Sequence, residues 1–268
     1  MNKKTIIAIA AIVALLAVVL AIRSLRGSRE RLVPLAAMPL FEQAGRFESS
    51  GNLVSAKQTY QKLVNEFPNS RAVAAWQNRI EAINVQLIFS PAITPGSIEY
   101  EIKPGDSLEK ISRDHKTTAE LVAKANGLAN EIIYPGRKIK VWTAPFSIVV
   151  DKSQNTLILK TGEEVFKTYI VATGTNNSTP TGTFSIIEKI INPPWYKPGG
   201  GMVPAGSPEN ILGTRWLGID KPGYGIHGTT DPSSLGKQAT AGCVRMSNQD
   251  VEQLFAIVPK GTEVTIVN

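Results

Sequence analysis

The hydrophobic period of this chain changes along its length, and that change limits the available folds more than any other feature. From Met38 to about Phe89, apolar residues recur at three- and four-residue spacing: Leu53, Ala56, Tyr60, Leu63, Val64 and Phe67. After a break at Pro68-Asn69-Ser70 the spacing resumes with Ala72, Ala75, Trp76, Ile80 and Ile83. That spacing collects side chains on one helix face, so two or three short helices are expected over 38–89. From Ala144 to Asn268 the runs are short and β-rich instead: SIVVDKSQNTLILK, VFKTYIVATG, GTFSIIEKII and GTEVTIV. Only SNQDVEQLFAIV reads there as a helix, capped by Ser247 or Asn248 and stopped at Pro259. A mainly β domain with one late helix is the expectation.

Ahead of both regions, Thr5 to Ile22 is an uncharged run of 18 residues. As a helix it would be about 27 Å long, close to the apolar thickness of a bilayer. It runs straight into IRSLRGSRER rather than ending at small residues, which favours an uncleaved transmembrane anchor over a secretory signal. Residues 1–31 hold six cations against Glu30, a local charge of +5, so only +2 of the chain's +7 belongs to the remainder. The basic balance is therefore a property of one terminus. No basic stripe with interleaved aromatics argues for nucleic acid.

Within the helical region, GNLVSAKQTYQKLVNEFPNSRAVAAWQNRI resembles one tetratricopeptide-type (TPR-like) unit, and it reads equally as a spacer or as a hairpin for a protein partner. SPAITPGS, residues 90–97, is a linker by composition. The next 45 or so residues read as strand, helix, helix, strand, with Asp106 or Ser107 capping the first helix and Thr117 or Thr118 the second. YEIKPGDSLEKIS, then NGL, then IYPGRKIKV make this stretch, residues 98–143, closely similar to a LysM domain, an α+β unit of βααβ order. The resemblance implies binding to N-acetylglucosamine-containing glycans such as peptidoglycan. His115 falls in its first interhelical loop and reads as a solvated residue.

The single cysteine, Cys243, lies in IHGTTDPSSLGKQATAGCVRM, 16 residues after His227. One cysteine and two histidines in different segments make no zinc set, and Gly199 to Gly201 are not followed by the GK[ST] of a phosphate loop, so neither metal nor cofactor is expected. Gly242 clears side-chain bulk from the approach to the sulfur, Arg245 brings a positive charge that can favour thiolate, and a histidine lies upstream on another strand end or loop. Nucleophilic catalysis by Cys243 is the remaining reading.

The order STPTGTF at 178–184, NPPW at 192–195, PENILGTRWLGI at 208–219, GIHGT at 225–229 and TAGCVRMSNQDV at 240–251 resembles the catalytic domain of the L,D-transpeptidases of YkuD type, over about residues 146–267. Many members carry Ser-His-Gly-Cys where this chain has Thr240-Ala241-Gly242-Cys243, which bears on acceptor handling. The resemblance implies that Cys243 is the nucleophile, His227 its general base and the Gly228 carbonyl the group that fixes the imidazole tautomer. Asp231 is the alternative orienter. Backbone N–H groups of Gly242 and Cys243 would stabilise the oxyanion, and Arg245 and Thr240 would contact substrate, Arg245 holding either its carboxylate or the loops of the site.

The implied reaction takes the terminal D-alanine from a peptidoglycan tetrapeptide through a cysteinyl thioester and passes the acyl group to a stem-peptide amine. With water as acceptor the same site is an L,D-carboxypeptidase, and a chain without the chemistry would be a peptidoglycan-binding scaffold. Such substrates lie outside the cytoplasmic membrane, so a single-pass topology with the amino terminus inside is expected.

Overall fold

The computed structural model describes residues 33–129 and 132–268. The transmembrane helix expected over residues 5–22 lies outside the described residues; among those described, no helix is long and apolar enough to cross a membrane. Two compact units divide the chain, one ending at Ile83 and one running from Asn84 to Asn268.

The first unit is helical. α1 (Met38–Ser49) and α2 (Leu53–Glu66) are followed by α3 (Val73–Ile88), whose residues from Asn84 onward belong to the second unit. Asn52 caps α2 by accepting the Ser55 N–H. The periodic residues Ala56, Tyr60, Leu63, Trp76, Ile80 and Ile83 are buried as their spacing requires, whereas Ala75 faces outward. Glu48 joins the helices, accepting from the Tyr60 hydroxyl at 3.0 Å and pairing with Arg79 at 2.7 Å.

The second unit begins with β1 (Ser97–Glu101), α4 (Leu108–Asp114), α5 (Ala119–Ala125) and β2 (Lys138–Trp142), in the expected βααβ order, with β1 and β2 antiparallel. Ser107 and Thr118 are the helix caps. His115 ends α4 and sets its ring edge-on to Tyr100, at a centroid distance of 5.3 Å. The 90–97 stretch is more ordered than its composition suggests: Ser97 Oγ accepts from the Thr94 N–H and donates to the Thr94 carbonyl. Nearby, buried Lys140 donates to the carbonyls of Leu87 and Ser90 at 2.6 and 3.0 Å, closing the C-terminal end of α3. Burial without a carboxylate partner lowers its pKa to about 8.

The remainder is built on one eight-stranded sheet. Its strands are β3 (Phe146–Asp151), β4 (Thr156–Thr161), β5 (Glu164–Ile170), β7 (Gly182–Ile191), β10 (Arg215–Ile219), β11 (Gly225–His227), β13 (Val244–Arg245) and β14 (Glu263–Val267), in the order β13-β11-β10-β7-β14-β3-β4-β5. The short strands β6 (Thr173–Gly174) with β12 (Gln238–Thr240), and β8 (Trp195–Tyr196) with β9 (Met202–Val203), make two small pairs beside it. The single α-helix of this part, α6 (Asn248–Ile257), is capped by Ser247 and packs on β10 and β11 through Val251, Leu254, Phe255 and Ile257.

Leu121 and Trp142 of the βααβ segment sit in the same core as the sheet residues Ile148, Leu157, Ile186 and Leu217. The Thr118 hydroxyl also donates to the Ala256 carbonyl at the end of α6. Trp142 stacks on Phe146 and both meet Phe166 edge-on, with centroid distances of 5.3 to 5.9 Å, closing the joint. The βααβ segment is therefore packed onto the β domain.

Candidate active site

β11 and β13 run parallel at the edge of the sheet, with Ile226 opposite Val244 and His227 opposite Arg245. This pairing brings the histidine beside the segment that follows Cys243, although 16 residues separate them in sequence. Both side chains line a cleft of about 580 Å³, whose other walls include Ile190, Pro193, Pro194, Trp195, Leu212 and Trp216. An apolar cavity with a few polar groups converging in it is the usual form of a small-molecule site.

A short turn holds the sulfur. Thr240 Oγ1 accepts from the Gly242 N–H at 3.1 Å and donates to the Cys243 carbonyl at 2.7 Å, closing the turn on both sides. Gly242 has φ +139°, and a Cβ there would sit 2.8 Å from the Tyr224 ring. Glycine is thus required by the turn and by Tyr224, not only by the approach of a substrate.

Thr240 lines the cleft, and its hydroxyl shapes the nucleophile's turn. One expectation is corrected here. The Gly242 N–H already has a partner and is not a free oxyanion donor, whereas the Cys243 N–H has no hydrogen-bond partner among the described residues.

His227 is 2 % exposed. Its Nδ1 lies 2.7 Å from the Gly228 carbonyl, which can only accept, so Nδ1 carries the proton and Nε2 carries the lone pair. Asp231 is turned elsewhere: its carboxylate accepts from the Ser233 N–H and hydroxyl. The indole of Trp216 lies nearly parallel to the imidazole, with centroids 6.0 Å apart and planes at 21°.

Burial lowers the His227 pKa to about 4; the Gly228 hydrogen bond works against that shift and the Arg245 charge adds to it. Burial pushes the Cys243 thiol up, only partly offset by the Gly225 N–H and Arg245. The resting pair is consequently neutral thiol and neutral imidazole. Arg245 does favour thiolate as expected, but desolvation outweighs it. In this state the thiol points its weak donor at the Gly223 carbonyl, 3.6 Å away.

Arg245 is 9 % exposed and lines the cleft, but its Nη1 donates to Ser234 Oγ at 3.1 Å and its backbone pairs with Ala172 in both directions. Arg245 thereby ties β13 to Ser234 and to Ala172 at the side of the cleft.

One residue of the site escaped the sequence reading. Asn248 entered only as an alternative cap for α6, yet its Oδ1 accepts from Thr214 N–H at 3.2 Å and from Thr229 N–H at 3.1 Å. It thereby pins the Gly228–Thr229 segment whose carbonyl orients His227. The available signal was two capping residues in succession, Ser247 and Asn248, of which a helix can use one.

Asn248→Ala should lower the rate of acyl-enzyme formation about tenfold, mainly in kcat, because two amides lose their acceptor and the imidazole loses a fixed carbonyl. Asn248→Asp retains the accepting oxygen and should restore most of the rate. Stopped-flow acylation of the two variants checks this, and equal rates in Asn248→Ala and the native chain would remove the role.

Comparison with known proteins bears on the same residues. The sequence profile of the YkuD L,D-transpeptidase catalytic domain matches residues 145–266, and that of the LysM domain matches residues 100–142. The protein of Bacillus subtilis (strain 168) named "Putative L,D-transpeptidase YkuD" is 37 % identical over 176 residues, which cover 63 % of this chain and 98 % of that one. The protein of the same name in Bacillus licheniformis is 38 % identical over 175 residues, covering 62 % of this chain and 97 % of the relative. A solved L,D-transpeptidase from Mycobacterium smegmatis aligns with a TM-score of 0.40 at 18 % identity, over 50 % of this chain and 64 % of that one, a partial likeness.

Proposed function

This chain belongs to the YkuD family of L,D-transpeptidases and is a cysteine-dependent peptidoglycan transpeptidase carrying a LysM domain, and from that premise we propose how its residues divide the reaction. Cys243 attacks the carbonyl of the L-centred third residue of a stem tetrapeptide while its proton passes to Nε2 of His227. The Cys243 N–H stabilises the oxyanion. Collapse breaks the bond to the terminal D-alanine, whose amine leaves with the proton from the imidazolium, and a thioester remains. A neutral side-chain amine of a second stem then attacks, gives a proton to His227, and expels the sulfur, which takes that proton back. Thr240 and Arg245 hold the loops around this exchange, and Gly228 and Asn248 hold the imidazole.

One observation supports the reading most strongly: a buried imidazole with its Nδ1–H committed to Gly228 lines the same apolar cleft as the chain's only thiol. The test is to incubate the full chain with a disaccharide tetrapeptide and analyse it by mass spectrometry. A thioester adduct and a crosslinked dimer lacking one D-alanine are expected; their absence would sink the reading.

The LysM segment in this reading brings the cleft to the glycan. Tyr134 and Ile132 stand 65 % and 55 % exposed before β2, apolar surface suited to a sugar face. Because Leu121 and Trp142 share the β domain's core, deleting residues 98–143 would disturb the catalytic part as well. Point changes are cleaner. Tyr134→Ala with Ile132→Ala should weaken co-sedimentation with sacculi about tenfold while leaving crosslinking of small stem peptides in place, and unchanged co-sedimentation would mean that this loop is not the glycan contact.

Residues 1–31 are proposed as a single-pass anchor with the catalytic part outside the cytoplasmic membrane, supported by the apolar run Thr5 to Ile22 and by where such a substrate lies. The helical segment 38–89 serves as a spacer or as a docking hairpin for a protein partner.

A further inference from the structure

The cleft beside Cys243 and His227 contains one acidic side chain, Glu188 of β7. The reaction described above does not use it. Its placement is nevertheless specified by several residues at once. Gly218 of β10 lies opposite Glu188 in the β7–β10 pairing, and Trp216, two residues earlier on β10, lays its indole back across Gly218 and Gly225. A Cβ at either glycine would come within 2.8 Å of that indole, so the ring lies flat on the sheet only because both positions lack a side chain. From there Trp216 Nε1 donates to Glu188 Oε2 at 3.1 Å, while the face of the same ring stacks on His227. The carboxylate is thus tied to the general base through one rigid aromatic plane.

Glu188 is in no ion pair among the described residues. The nearby lysines are engaged elsewhere. Lys189 donates to the Phe255 and Val258 carbonyls at 2.6 and 2.8 Å, and Lys197 pairs with Glu209 at 3.6 Å with its ammonium over Trp195. Glu188 is exposed at the cleft, so its carboxylate, oriented by the Trp216 N–H and without a protein cation, is open to a positively charged substrate group that approaches the nucleophile.

We propose that Glu188 binds a primary ammonium of a stem peptide, a role that rests on the transpeptidase reading above and extends it to substrate selection. Two sources share this chemistry: the amine of the acceptor stem, and a free side-chain amine on the third residue of the donor. Glu188 binds and orients the group, and the covalent steps remain those of Cys243 and His227.

Glu188→Gln keeps the side-chain shape and an oxygen for the Trp216 N–H but removes the charge. The full chain and this variant are compared in two arms. In the donor arm, release of the terminal residue is followed without acceptor, using a tetrapeptide with a free side-chain amine and the same peptide N-acetylated. In the acceptor arm, the thioester formed from the acetylated donor is resolved by increasing concentrations of an amine-bearing stem.

A KM raised about tenfold for the ammonium-bearing peptide in either arm, with kcat within threefold and no comparable rise for the acetylated donor, is the expected result. The arm that responds identifies which ammonium is bound. An equal loss with the acetylated donor would overturn the proposal, because Glu188 would then only buttress Trp216; so would no change in either arm. Failure of the transpeptidase reading is distinguishable, since the native chain would then form no thioester at all.

Discussion

Cys243→Ala is expected to reduce acyl-enzyme formation by at least about ten-thousandfold, below detection in most assays, because the only thiol in the chain is gone and no neighbouring group replaces it. The loss should not come from misfolding. The thiol's contact with the Gly223 carbonyl is a weak one at 3.6 Å, and the turn around it is closed by Thr240, Gly242 and backbone groups that the substitution does not touch. Thermal unfolding of the variant should therefore stay close to that of the native chain, and binding to sacculi should persist. Intact-protein mass spectrometry after incubation with a tetrapeptide donor is the direct measurement. A full-stoichiometry adduct on Cys243→Ala would show that the nucleophile lies elsewhere.

His227→Ala is expected to lower acylation by at least about a hundredfold, the usual contribution of a positioned base. The effect follows from the resting protonation state. Burial holds the thiol protonated and the imidazole neutral, so attack requires proton transfer to Nε2 within the step and cannot draw on a preformed thiolate. The pH profile carries the signature. The imidazole must be neutral to act, so kcat/KM should stay level as pH falls through the ordinary histidine range near 6.5 and drop only near pH 4, where buried His227 takes up a proton. An acid limb near 6.5 would indicate a solvated base and contradict the geometry.

Stability should follow the same group with a definite sign. The folded pKa lies below the unfolded value, so between about pH 4 and 6.5 the unfolded chain binds the extra proton. Stability therefore rises with pH across that window, and the contribution is fully present above it. His227→Ala should flatten that part of the stability curve, which denaturant titrations at pH 4.5 and 7 would detect.

Packing of the LysM segment against the β domain changes how these experiments are read. Lys140 closing the end of α3, Thr118 bonded to Ala256, and Trp142 stacked on Phe146 and edge-on to Phe166 make residues 84–268 one unit. Glycan capture and acyl transfer should therefore be separated by point substitution at exposed side chains such as Tyr134, and not by excision of a segment that shares the core.

Local and motif-borne features were legible in the sequence alone. Three- and four-residue spacing marked the buried face of α2 and α3, pairs of capping residues marked helix starts to within one position, and alternation marked the strands, because each of these depends on residues near one another in the chain. The pairing of Cys243 with His227 came from the resemblance to the YkuD-type catalytic domain that the order of motifs carries. The tertiary structure decided what those residues experience. A neutral resting pair follows from desolvation, which exists only once β11 and β13 lie side by side and the cleft walls close around them. The commitment of the Gly242 N–H to Thr240, the reach of Asn248 to Thr214 and Thr229, and the line from Glu188 through Trp216 to His227 all join groups 2 to 34 residues apart in sequence or on different strands. A hydrogen bond is decided by direction and distances of about 3 Å, and only the folded backbone sets those to that tolerance.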